Sequence, residues 1–112
     1  MKNKYIFITI LSFIAVSSIN TAIAGDAAAG KEKSAMCAAC HGADGNGTDP
    51  QYPRLAGQHQ DYLAKSLHDY KSGDRKNPTM NSMVVGLTDD DIENLAAFYA
   101  SLDGLKDLSA FK

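Results

Sequence analysis

The spacing of apolar and polar positions predicts an all-α chain. In residues 60–72 apolar side chains recur at spacings of three and four, with Leu63, Leu67 and Tyr70 on one face. This is the period of an amphipathic helix, and Gly73 follows it as a stop signal. No segment shows the alternation of period two that is typical of a half-buried strand. The pattern therefore indicates helices joined by irregular loops.

Two further helices are predicted on either side of this one. The later helix begins at Thr88, whose hydroxyl can cap it, with Asp91 in the capping-box position. Its apolar stripe consists of Ile92, Leu95, Phe98, Tyr99 and Leu102. The earlier helix runs through the alanine-rich residues 27–40 after Asp26, a residue type favoured at N-caps. Residues 41–58 and 74–87 are predicted to be irregular, so we expect three or four helices in all.

The first 24 residues have the pattern of an export signal. A short basic start precedes an apolar run of about 15 residues, and Ala22-Ile23-Ala24 is a small-x-small cleavage sequence. The run is shorter than the roughly 20 residues that span a bilayer. We expect residues 1–24 to be a signal peptide and residues 25–112 to be one periplasmic domain without a membrane span. An uncleaved N-terminal anchor is the alternative.

Removal of this segment makes the chain more acidic. The full sequence has 11 basic and 13 acidic residues, and loss of Lys2 and Lys4 leaves 9 against 13, a net charge of about −4. Such a charge argues against nucleic acid as a partner and fits a soluble protein that meets basic patches on other proteins. A domain of this size often depends on a metal, a disulfide or a cofactor.

Both cysteines and one of the three histidines lie in "MCAACHGADGNG", residues 36–47. A redox disulfide is usually found in a βαβ setting, and no strand pattern precedes Cys37. A structural zinc site needs four ligands, and this cluster offers three at most. C-x-x-C-H is the attachment sequence of c-type haem. Cysteines three apart on a helical turn share one face, and His41 is then directed at the iron. The cluster predicts that Cys37 and Cys40 bind one haem covalently and that His41 is an axial ligand.

Three segments extend this observation to most of the chain: "GDAAAGKEKSAMCAACHG", "YPRLAGQHQDYLAKSL" and "MNSMVVGLTDDDIENLAAFYASL". With them the sequence resembles the class I c-type cytochromes, especially the small periplasmic single-haem proteins or one lobe of the two-haem cytochrome c-four group. The resemblance implies a cytochrome c fold, with helices wrapped around one covalent haem c, iron held by His and Met, and electron transfer as the activity. It also implies that the first and last helices cross, with Gly30 against Tyr99 or its neighbours.

The second axial ligand has four candidates: Met80, Met83, His59 and His68. Physical reasoning from the residues does not separate the two methionines. The resemblance aligns Met80 with the axial methionine and Met83 with a residue that packs near the haem. His59 lies at or before a helix start and His68 is directed away from the apolar stripe, so we expect both histidines at the surface.

The resemblance assigns further residues around the haem. It implies that the carbonyl of Pro53, in "YPRLAG", accepts a hydrogen bond from His41 and fixes the imidazole. Three loop cations are candidates for contact with the haem propionates: Arg54, Arg75 and Lys76. The expected apolar lining consists of Tyr52, Leu55, Leu63, Leu67, Leu87, Leu95 and Phe98.

The predicted function is that of a one-electron carrier of a respiratory chain, and not of an enzyme. Its partners would be redox proteins bound through small transient interfaces. The alternatives are a haem-based gas sensor or small peroxidase with a labile sixth ligand, and an electron-donating subunit of a larger oxidoreductase. The sequence leaves open the oligomeric state and the role of residues 104–112.

Overall fold

The computed structural model describes residues 24–47 and 49–105. The predicted signal peptide, apart from Ala24, and the end of the chain after Leu105 lie outside the described residues. Five helices and no strands are found within these ranges. The helices are α1 (Ala27–Lys33), α2 (Ala35–His41), α3 (Gln60–Ser72), α4 (Pro78–Val84) and α5 (Asp89–Ser101). The all-α prediction is confirmed, with more helices than the three or four expected.

Three of the predicted helix ends agree with the structure: the starts of α1 and α5 and the end of α3. The Asp26 carboxylate accepts the backbone N–H of Ala28 at 2.9 Å and caps α1. Gly73 ends α3 in the left-handed conformation, at φ 87°, which glycine adopts without steric cost. At α5, the Thr88 hydroxyl accepts the N–H of Asp91 at 3.1 Å, and the Asp91 carboxylate accepts the N–H of Thr88 at 3.0 Å. This reciprocal pair is the capping box that the sequence predicted.

The single helix predicted for residues 27–40 is wrong, because Ser34 divides it into α1 and α2. The Ser34 hydroxyl donates to the carbonyl of Lys31 at 2.7 Å, and the Ser34 N–H donates to the same carbonyl at 3.2 Å. A serine hydroxyl that bonds back to the preceding turn competes with the helical ladder. The segment that packs on α5 is therefore separate from the segment that carries the cysteines.

The prediction of an irregular segment at residues 74–87 is also wrong, because it contains α4. The side chain of Asn77 accepts the N–H groups of Thr79 and Met80, both at 3.1 Å, and Pro78 occupies the first turn. An asparagine N-cap followed by proline is a strong helix start. The sequence also carries a short apolar pattern, Met80, Met83 and Val84, at helical spacing, but it spans only one turn.

The core forms where α1 and α3 pack against α5. A methyl group built on Gly30 would overlap the carbonyl of Asn94 and lie 2.8 Å from Cβ of Phe98, so α1 and α5 cross at Gly30 as the resemblance implied. The N–H of Asp26 donates to the side chain of Asn94 at 2.7 Å across the same contact. The buried cluster around it consists of Leu63, Ala64, Ile92, Leu95, Ala96, Phe98 and Tyr99.

The loop between α2 and α3 is attached to α5 through its backbone. The Gly57 N–H donates to the carbonyl of Tyr99 at 3.0 Å, and the Leu105 N–H donates to the carbonyl of Ala56 at 2.7 Å. Within the loop, the N–H of Leu55 donates to the carbonyl of Gly45 at 2.7 Å. These bonds hold the loop against the body of the domain.

In the part of the chain that the structure describes, none of the helices has the length and apolar character needed to cross a bilayer.

Candidate cofactor cleft

A cleft of about 450 Å³ lies between α2, α3, α4, α5 and the loop after α2. Its volume is in the range of small-molecule and cofactor sites. Both cysteines, His41 and three methionines (Met36, Met80 and Met83) line it, together with mostly apolar side chains. The predicted covalent and axial ligands therefore meet in one cavity, although they come from two helices, α2 and α4, that are far apart in the sequence.

The wall formed by α2 carries the C-x-x-C-H sequence. Cys37 and Cys40 are half-buried free thiols, and His41 is buried, with 6% of its surface exposed. Burial raises the pKa of the Cys37 thiol above its ordinary value, because desolvation disfavours the thiolate. The Cys37 thiol is therefore protonated at neutral pH.

The imidazole of His41 is held by the loop that follows it. Its Nδ1 lies 2.9 Å from the carbonyl oxygen of Pro53. A carbonyl can only accept, so Nδ1 carries the proton and Nε2 keeps its lone pair free for a metal. The His41 ring also meets Tyr52 edge-on, with ring centroids 6.3 Å apart. These contacts fix both the tautomer and the orientation of the ring.

The wall formed by α4 carries the two methionines. Both Met80 and Met83 line the cleft; Met80 is half-buried, whereas Met83 is 37% exposed and lies at the rim. Neither of the other histidines lines the cleft. His59 is exposed at the N-cap of α3, and His68 faces Glu93, 3.6 Å away.

Arg75 lies at the mouth of the cleft in a polar setting. Its guanidinium donates to the hydroxyl of Ser66 at 3.1 Å and lies 4.8 Å from the centre of the Tyr70 ring. Hydrogen bonding from the same guanidinium, and then from Ser66, lowers the pKa of the neighbouring Tyr62, since donated hydrogen bonds and a nearby cation favour the phenolate. Arg54 also lines the cleft, whereas Lys76 does not.

Six of the seven predicted apolar lining residues line the cleft: Tyr52, Leu55, Leu63, Leu67, Leu87 and Leu95. Phe98 does not, because its side chain lies against Gly30. Tyr99 takes its place on the cleft side of α5. Neighbouring residues of a helix point about 100° apart, so both could not line the cleft equally. The prediction that Phe98 lines the cleft is therefore wrong, and Tyr99 was not among the predicted lining residues.

Tyr99 places a buried phenol hydroxyl at this site. Its hydroxyl is buried and has no partner at hydrogen-bonding geometry. Burial, and next the neighbouring Cys37, raise the pKa of Tyr99 well above its ordinary value. The phenol therefore stays neutral.

The donor set fits a covalently bound haem. Two thiols and an imidazole stand on one wall, thioethers stand on α4, and apolar side chains lie between them. Thiols are the groups that attach c-type haem, and imidazole and thioether are axial ligands of its iron.

Comparison with known proteins points in the same direction. The family model for cytochrome c matches residues 27–103. Cytochrome c4 of Pseudomonas aeruginosa is 51% identical over 78 residues, which is 70% of this chain and 39% of that protein. Cytochrome c-554(548) of Halomonas halodenitrificans is 49% identical over 81 residues, covering 70% of this chain and 98% of that protein.

A solved structure supports the similarity of fold. Reduced recombinant cytochrome c4 from Pseudomonas stutzeri superposes with a TM-score of 0.70 and 45% identity, over 73% of this chain and 48% of that one. This chain thus spans about half or less of the cytochrome c4 proteins it matches, and nearly the whole of cytochrome c-554(548).

Proposed function

This chain belongs to the cytochrome c family, and we propose that it is a one-electron carrier with one haem c bound in the cleft. The observation that carries the proposal is the meeting of Cys37, Cys40, His41 and Met80 around one apolar cavity. When bound, the haem supplies one-electron chemistry, its iron alternating between the ferric and ferrous states.

Different residues would attach the cofactor covalently and bind its iron. Cys37 and Cys40 would attach it through two thioether bonds from one face of α2. His41 would bind the iron through Nε2, because Nδ1 is occupied by the Pro53 carbonyl at 2.9 Å. A histidine held in this way has a fixed ring angle and is a more basic ligand.

Met80 is the sixth ligand in this proposal, and two observations favour it over Met83. Met80 is the more buried of the two, since Met83 is 37% exposed at the rim. The backbone N–H of Met80 also belongs to the capped first turn of α4, bonded to Asn77 at 3.1 Å. A thioether ligand and a dry surrounding both favour the ferrous state and raise the potential.

The mouth of the cleft would receive the haem propionates and the redox partner. Arg75 and Arg54 line the mouth and would pair with the propionates. Four of the large exposed apolar side chains also line the cleft: Met36, Tyr52, Tyr62 and Met83. Such a small patch suits a transient interface with another redox protein. We place the protein in the periplasm, from the export signal predicted in residues 1–24.

The gas sensor or small peroxidase is the competing function. It needs a sixth position that is open or easily opened. Both thioethers of α4 line the cleft, which favours a closed site and a carrier.

The test is a visible spectrum of the haem-loaded protein, oxidised and reduced, with and without carbon monoxide. A low-spin spectrum with the red band of iron–thioether ligation, unchanged by carbon monoxide, is the expected result. A high-spin spectrum that shifts with carbon monoxide would instead establish an open site.

Met80→Ala and Met83→Ala form a matched pair for the ligand assignment. Met80→Ala should lose the red band and bind carbon monoxide, whereas Met83→Ala should keep the band. The reverse result would move the ligand to Met83.

A further inference from the structure

We propose that Asn81 is the positioning residue for Met80: its side-chain amide fastens α4 to the end of α3 and holds the methionine in the cleft. The inference rests on the proposed function, because it takes Met80 as the axial ligand. Asn81 does not itself line the cleft, so it acts through the position of its neighbour.

The Asn81 side chain makes three hydrogen bonds. Its Nδ2 donates to the carbonyl of Tyr70, on α3, at 2.6 Å and to the carbonyl of Arg75 at 2.9 Å. Its Oδ1 accepts the backbone N–H of Asn77 at 2.8 Å. The partners dictate the amide orientation, since carbonyls only accept and the N–H only donates. Both donors and the acceptor are therefore engaged, and no other side-chain type of this size provides that set.

Little else holds α4 in place. The helix has seven residues, of which Val84 alone is buried. A helix this short is not stable by itself in water and takes its position from tertiary contacts. The segment before it, residues 73–77, is exposed throughout. The Asn81 amide is consequently the main polar attachment of α4 to α3.

Asn81 is connected to Met80 both through the chain and through hydrogen bonds to Asn77. Asn81 is the next residue along the chain, and its own N–H donates to the carbonyl of Asn77 at 2.8 Å. Asn77 in turn caps the N–H of Met80 at 3.1 Å. Loss of the Asn81 amide would loosen both the link to α3 and the capped turn, so the thioether would leave the iron more often.

The experiment compares Asn81→Ala and Asn81→Asp with Ser82→Ala in the haem-loaded protein. The aspartate keeps the acceptor and loses both donors. Ser82 is the matched control, because its exposed hydroxyl donates to the Thr79 carbonyl at 2.8 Å, within α4 and not to α3. Two readouts are compared: carbon monoxide binding to the ferrous protein, and the temperature at which the red thioether band is lost relative to the loss of helix.

Both Asn81 variants should bind carbon monoxide about tenfold faster than wild type, as expected when hydrogen bonds of ordinary strength are lost. They should also lose the red band well below the temperature at which the helices unfold. Ser82→Ala should match the wild type in both respects. If Asn81 stabilises the fold without positioning Met80, its variants should lose the red band and the helices at the same, lower temperature. That result would overturn the inference.

The two proposals fail differently. A wild type without the red band would contradict ligation by methionine and hence the proposed function. A wild type with the band, and Asn81 variants indistinguishable from it, would contradict only the inference.

If the Asn81 variants assemble no haem, the test is hydrogen exchange in the wild-type protein, measured by NMR. The side-chain amide protons of Asn81 should exchange with solvent far more slowly than those of Asn77. Equal exchange rates would refute the attachment of α4 through Asn81.

Discussion

Gly30 lies so close to Phe98 that the crossing of α1 and α5 has no room for a side chain between them. A methyl group on Gly30 would sit 2.8 Å from Cβ of Phe98 and overlap the carbonyl of Asn94. The glycine is present because of this approach, although alanine is the better helix former by roughly 1 kcal/mol.

Gly30→Ala should therefore lower the free energy of unfolding by about 1–3 kcal/mol, the usual cost of overpacking. Chemical denaturation of the haem-loaded protein measures it. Gly86→Ala is the control, since a methyl group there meets nothing within 4 Å. A stabilised Gly30→Ala protein would show that the helices can separate freely.

Removal of the α5 cap should also be costly. Thr88→Ala deletes the hydroxyl that accepts the N–H of Asp91 at 3.1 Å and should cost about 0.5–2 kcal/mol of stability. Asp90→Ala, in the same turn, loses only its interaction with the helix dipole and should cost less. Equal losses of stability in Thr88→Ala and Asp90→Ala would argue against a specific role of the capping box.

The same cap predicts a dependence on pH. Hydrogen bonding to the Thr88 N–H, and then the neighbouring Lys33, lower the pKa of Asp91. A carboxyl whose pKa is lower in the folded state stabilises above its unfolded pKa, near 4, and this stability is lost as the pH falls through the folded value. Thermal unfolding of wild type between pH 6 and 2.5 should show that loss. Asp91→Asn should show a shallower decline, and an identical decline would exclude Asp91 as a contributor.

Tyr99→Phe should leave the stability of the haem-loaded protein unchanged or raise it. The hydroxyl is buried without a partner at hydrogen-bonding geometry, and its removal ends a desolvation penalty. Thermal melts of this variant and of Tyr52→Phe, which alters a tyrosine 36% exposed, provide the comparison. A marked loss in Tyr99→Phe would mean that the hydroxyl is satisfied by the cofactor.

Without its cofactor the chain should be largely disordered. The cleft of about 450 Å³ interrupts the core, and the haem would supply the apolar surface around which α2, α3 and α4 pack. Circular dichroism of Cys37→Ala/Cys40→Ala measures this. A cooperative melt with full helix content would show that the protein core suffices alone.

Local signals predicted much of this fold. Thr88 and Asp91 marked the start of α5, Gly73 marked the end of α3, and the cysteine spacing marked the cofactor wall. In each case the interaction spans a few residues, so the sequence displays both partners.

Other features depend on distant partners or on polar residues. The break at Ser34 occurs because its hydroxyl donates a hydrogen bond to the Lys31 carbonyl. A serine within a helix can also direct its hydroxyl to solvent, so the sequence does not reveal this bond. For α4, two signals were present in the sequence: the cap Asn77-Pro78, and the helical spacing of Met80, Met83 and Val84. The apolar set covers only one turn, so it is much weaker than the stripes of α3 and α5. The role of Asn81 depends on the carbonyl of Tyr70, eleven residues away, which no local pattern reveals.

The pairing of α1 with α5 also sets the order in which the domain can fold. Asp26 and Asn94, which are bonded to each other, are 68 residues apart in sequence, so the most distant parts of the domain must meet before its core closes. Long-range closure of this kind is slow compared with local helix formation. Until Asp26 and Asn94 meet, the core around α2 is not closed, and the thiols of Cys37 and Cys40 are therefore open to attachment chemistry during that interval of folding.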